Sequence, residues 1–100
     1  MTDRNSLAVA ASPRQLRQSV RTASRVIDGK AVVITIDRNQ LHVLNAVGTR
    51  VWQLLDGRAL GAVIEVIVQE FEVSTERATE DVAAFVEQLV AVGAAEILAP

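Results

Sequence analysis

A chain of 100 residues is of single-domain size, and a composition that is half apolar and 22% charged lies far from that of chains that stay unfolded, so one globular core is expected. Zero cysteines exclude a disulfide scaffold, a thiolate zinc site and a cysteine nucleophile, and suit a reducing compartment, the cytoplasm. The formal charge of −2 argues against a general nucleic-acid binder, and no apolar stretch approaches the roughly 20 residues of a membrane-spanning helix.

The charge is unevenly placed. Residues 1–58 carry nine Arg and Lys against four acids, whereas residues 59–100 carry Arg77 against eight acids. The core is aliphatic, built from 16 Val, 15 Ala, 9 Leu and 6 Ile, with Trp52, Phe71 and Phe85 as the only aromatic residues. So few rings leave little for stacking nucleotide bases.

Residues 1–18 lack periodicity and contain Pro13, so they read as a flexible tail ahead of a domain at residues 19–98. Structure is expected from about Val20. A first strand ends at Val26-Ile27, Asp28-Gly29 supplies a hairpin turn, and the β-branched and aliphatic run Ala31 to Ile36 forms a second strand. Asp37-Arg38-Asn39 breaks the chain again, and Gln40 to Leu44 complete a three-stranded antiparallel meander. At Asn45, a good N-cap, the period becomes helical: Val47, Val51, Leu54 and Leu55 share a face before Asp56-Gly57 ends helix one. Leu60, Val63, Ile64, Ile67, Val68 and Phe71 form the stripe of an amphipathic helix two. Ser74 caps helix three, with Glu76 in its first turn and Gly93 as its stop. The third helix carries Ala78, Val82, Phe85, Leu89 and Val92, and Val86 and Val90 widen its apolar stripe beyond the needs of one small core. The predicted class is α+β, with the order βββααα.

Catalytic and metal chemistry find no support. His42 is the only imidazole and falls in mid-strand, so neither a zinc site of His and Cys nor a Ser-His-Asp triad with a nucleophile turn can be assembled. Glu70, Glu72, Glu76 and Glu80 cluster near the join of helices two and three but lack the spacing of a calcium loop, and a solvated face accounts for them. The glycines form no phosphate-cradling loop, so no metal, nucleotide or other cofactor is expected. Trp52 beside Val51 and Leu54 reads as a core anchor. What remains is a short third strand at a sheet edge beside a wide apolar helix. An edge offers unpaired N–H and C=O groups to an extended peptide, to the tail, or to a second copy of the chain in a homodimer.

Leu44-Asn45-Ala46-Val47-Gly48, then Val51-Trp52-Gln53-Leu54-Leu55-Asp56-Gly57, Val63-Ile64, Phe71-Glu72-Val73 and Asp81 to Leu89 resemble the PqqD family over roughly residues 20–98. Gly61 departs from it, standing where the family more often has a better helix former. The namesake is the peptide chaperone of pyrroloquinoline quinone biosynthesis, and the wider group comprises the recognition elements of ribosomally made, modified peptides. The resemblance implies a winged helix-turn-helix domain whose third strand and third helix form a cleft. There the leader of a precursor peptide docks as an added antiparallel strand. Carried over by position, the backbone of Leu41, His42 and Val43 pairs with the leader, and Val82, Phe85, Val86 and Leu89 line the groove. The implied partners are that leader and a separate modifying enzyme, often of the radical S-adenosylmethionine type, with no membrane.

Two other classes fit the same elements. One is a winged-helix DNA-binding regulator using Arg14, Arg17, Arg21 and Arg25, although helices two and three present acids and only Arg77 to a polyanion. The other is a structural subunit of a modifying enzyme complex that makes no peptide contact of its own.

Overall fold

The computed structural model describes residues 14–98. In chain order these form β1 (Gln15–Gln18), β2 (Thr22–Ile27), β3 (Lys30–Thr35), β4 (Gln40–Val43), α1 (Ala46–Gln53), β5 (Asp56–Ala59), α2 (Leu60–Phe71), α3 (Thr75–Ala91) and β6 (Ala95–Leu98). The fold is α+β, with six strands in two antiparallel sheets, ordered β2-β3-β4 and β5-β1-β6. No helix of the described residues is long and apolar enough to cross a membrane.

The first sheet is the predicted meander. Asp28 and Gly29 both adopt positive φ, 52° and 78°, as the two central residues of a tight hairpin of this twist require. The register sets Val33 against Ser24 on one side and His42 on the other. Ala31, Val33 and Thr35 are buried on one face, and α1 packs against β3 there.

The second sheet is additional to the predicted order, and it changes the reading of two segments. Of the expected tail, residues 1–13 lie outside the described residues, but Gln15–Gln18 form β1, the central strand of this sheet, with Leu16 buried. Asp56-Gly57 does not stop α1. That helix ends at a Leu54 cap, and Gly57 sits at φ 105° inside β5. The pairing explains both corrections: β1 bonds to β5 some 40 positions away, at Gln15↔Ala59 and Arg17↔Asp56, and to β6 some 80 positions away, from Gln15↔Leu98 to Gln18↔Ala95, so none of these strands is stabilised by its own neighbourhood.

The helices follow their caps. Asn45 accepts from the Gly48 N–H and Ser74 from the Arg77 N–H, while Gly93 at φ 80° ends α3. α2 packs on α1 and α3, and α3 also packs on β6. Val86 and Leu89 are therefore core residues, covered together with Ala94 and Ala95, and Val90 packs against the same cluster. The width of the α3 stripe is spent on the second sheet. Trp52 anchors the centre: it is 2% exposed, its Nε1 donates to Ser24 Oγ at 3.2 Å, and its carbonyl accepts from Gln18 Nε2 at 2.8 Å, which ties the two sheets together.

Candidate functional site

Among the described residues β4 has a neighbour on one side only, β3, so its other side is an open sheet edge. Its hydrogen-bonding phase follows from its last bond, in which the Leu44 N–H donates to the Ala31 carbonyl at 2.8 Å. Because the bonds of an antiparallel pair recur at every second residue, His42 and Leu44 turn their N–H and C=O toward β3, whereas Leu41 and Val43 turn theirs outward. Two outward residues thus present donors and acceptors that have no strand partner among the described residues.

The side chains obey the same alternation. Leu41 and Val43 project on the outer face of the meander, 60% and 62% exposed, beside Ile34. His42 points to the inner face opposite Val33, half-buried, with its Nε2 shielded from solvent and without a partner among the described residues. Which face is covered, open in the sequence, is settled: the inner one.

At the end of β4 a buried hydroxyl fixes the geometry. Thr49 Oγ1 accepts from the Ala31 N–H at 2.7 Å and donates to the Leu44 carbonyl at 3.4 Å, so it bridges the bond that Ala31 and Leu44 would otherwise return directly. The chain then leaves the sheet and enters α1 through the Asn45 cap, whose Oδ1 lies 2.7 Å from the Gly48 nitrogen. Strand edge and helix N-terminus are locked as one unit.

Between this unit and α3 lies a cavity of about 380 Å³, open to solvent and lined by Val43, Leu44, Asn45, Val47, Gly48, Val51, Asp81, Val82 and Phe85. Gly48 makes room for it. A Cβ there would stand 3.2 Å from Phe85 Cζ and 3.1 Å from Asn45 Oδ1. Of the residues the resemblance pointed to, the structure brings Val43, Val82 and Phe85 to the cavity, with Leu41 and His42 along the strand leading to it. Val86 and Leu89 do not line it; they are core residues, 5% and 4% exposed, in the same cluster as Val82, itself 1% exposed. Asp81 and the wall formed by Asn45, Val47 and Gly48 are additional. The wall was visible in the sequence as the segment that carries the resemblance. Asp81 likewise heads the segment Asp81 to Leu89 that carries the resemblance, one turn before Phe85.

The charged groups of the site are few. Arg77 Nε donates to Asp81 Oδ2 at 3.0 Å, one helical turn apart and well exposed. In β5, Arg58 holds the Asp56 carboxyl down to about 2, chiefly through a side-chain hydrogen bond. At the corner of the meander the Arg21 guanidinium likewise lowers Asp37, again chiefly by hydrogen bonding.

Comparison with known proteins bears on this geometry. Residues 30–94, from β3 to the start of β6, match the family model described as coenzyme PQQ synthesis protein D. The chain belongs to the PqqD family. No curated protein matches the chain. Two solved structures share the fold of this PqqD-family chain, each at 26% identity. One, described as TbiB1 in complex with the TbiA(beta) leader peptide, aligns with a TM-score of 0.76 over 84% of this chain and 99% of that one. The other, lasso peptide synthetase B1 complexed with the leader peptide, aligns at 0.72 over 82% and 98%.

Proposed function

We propose that this PqqD-family chain is a non-catalytic binding protein that captures the leader segment of a ribosomally made precursor peptide and presents it to a separate modifying enzyme. The observation that carries the reading is the open edge of β4, whose outward-facing Leu41 and Val43 backbone adjoins a cavity lined in part by Phe85. An extended peptide added to this edge gains main-chain hydrogen bonds to two residues, and alternate side chains reach either the outer face or the cavity. His42 bonds inward and contributes through the strand it stabilises, Val82 and Phe85 line the cavity that receives a peptide side chain, and Val86 and Leu89 contribute through the core. The similar structures in complex with leader peptides support this occupant.

The chemistry belongs to the partner, for which a radical S-adenosylmethionine enzyme is the class the family resemblance favours, and the cytoplasm, where precursors are made, is the compartment. Titration of the full chain with a fluorescently labelled leader of its precursor tests the reading. Saturable binding with one peptide per chain, and a peptide of unchanged mass afterwards, is expected. A leader that shows no saturable binding would overturn it.

A further inference from the structure

Resting on the reading of β4 as a peptide-binding edge, the cavity beside it also limits which peptides fit. Its lining is apolar apart from Asn45 and Asp81, and Asn45 is committed to capping α1. Residues 40–49, which form the strand wall and the first turn of α1, contain no Asp, Glu, Lys or Arg. Among the described residues the Asp81 carboxylate is therefore the sole charge in the cavity lining. Its own partner is weakly held: Arg77 reaches it by one 3.0 Å contact, and the two side chains are 72% and 60% exposed, conditions under which ion pairs contribute little and exchange readily.

The geometry of strand addition sets the spacing. A peptide residue opposite Leu44 points to the inner face, as Leu44 does, and so toward the cavity that Leu44 and Phe85 line. The next peptide residue on that face lies two positions away, about 6.6 Å along the strand. On α3, Asp81 and Phe85 are four residues apart, about 6 Å along the helix axis. The two lengths are alike, and an added strand running along α3 would set one side chain at each.

We propose that Asp81 is a specificity-determining residue, and that the preferred ligand carries an aromatic or branched apolar side chain with Lys or Arg two positions from it. The apolar residue fills the cavity, and the basic residue replaces Arg77 on the Asp81 carboxylate.

Selection from a library of random twelve-residue peptides tests this with the full chain as bait. The parent should enrich apolar residues paired with Lys or Arg at a separation of two. Asp81→Asn should lose the basic bias while keeping the apolar one, and Asp81→Lys should exchange it for Asp or Glu. A single peptide from the parent pool should bind Asp81→Asn up to about fivefold more weakly at low salt, with a smaller salt dependence, and Arg77→Ala, which frees the carboxylate, more tightly. Both sites are exposed, so thermal melts should match the parent. A parent pool that is apolar without a basic bias, or a bias that survives Asp81→Asn, overturns the assignment and leaves the binding edge standing. A pool whose binding is indifferent to Val43→Pro overturns the edge and the assignment together.

Discussion

Proline scanning of β4 separates folding from recognition at adjacent residues. At His42 the N–H is turned toward the Val33 carbonyl, and Val33 is 0% exposed. His42→Pro removes that donor, strands a buried carbonyl, and forces a ring into the ladder, at a combined cost of about 3 kcal/mol. For a domain of this size each kcal/mol lowers the melting temperature by about 4–8 °C, so a fall of about 12–24 °C is expected. At Val43 the N–H faces the open edge and the side chain is 62% exposed, so Val43→Pro should change stability by less than about 1 kcal/mol. It removes one hydrogen bond to the added peptide, about 0.5–1.5 kcal/mol, which weakens binding by roughly two- to tenfold before the ring's own obstruction of the edge is added. Thermal melts by circular dichroism and peptide titration on the same samples give both quantities. Equal losses of stability in the two variants would refute the deduced phase of β4, and parental peptide affinity in Val43→Pro would refute strand addition.

Other perturbations probe the surroundings. Trp52→Ala should cost about 3–5 kcal/mol, a large part of the domain's stability, and leave the affinity of the folded fraction unchanged; denaturant melts with peptide titration below the transition check it. Gly48→Ala should gain up to about 1 kcal/mol of helix propensity, offset by the push on the Phe85 ring 3.2 Å away, so the melting temperature moves little while peptide affinity falls severalfold as the ring closes the cavity. Asp56 is held at about 2 by Arg58, below the usual carboxylate range. Its contribution to stability is thus complete above the ordinary carboxylate pKa and lost as pH falls through about 2, and Asp56→Asn should flatten that part of an acid-unfolding curve.

The meander, the three helices and both side-chain caps were legible because each is locally encoded: Asp28-Gly29 for the hairpin, Asn45 and Ser74 before apolar periodicity, Gly93 after it. The second sheet was not. Its strands are four residues each, and Asp56–Ala59 contains no β-branched residue, so only distant pairing makes them strands. That omission also misdirected the site, because a wide stripe on α3 looked like surplus apolar surface until β6 was seen to cover part of it. Val86 and Leu89 went to the core for this reason. Val43 of the edge strand and Phe85 line one cavity, a proximity that only the resemblance implied, and the orientation of β4 depends on one bond, from Leu44 to Ala31, whose phase no sequence pattern states.

Amide hydrogen exchange along β4, measured by NMR with and without saturating leader peptide, tests the central claim most directly. Strand addition predicts that the Leu41 and Val43 amides, open in the free protein, become protected on binding, while His42 and Leu44, already bonded to β3, change little. Protection that spares Leu41 and Val43, or that appears only on the helices, would contradict it.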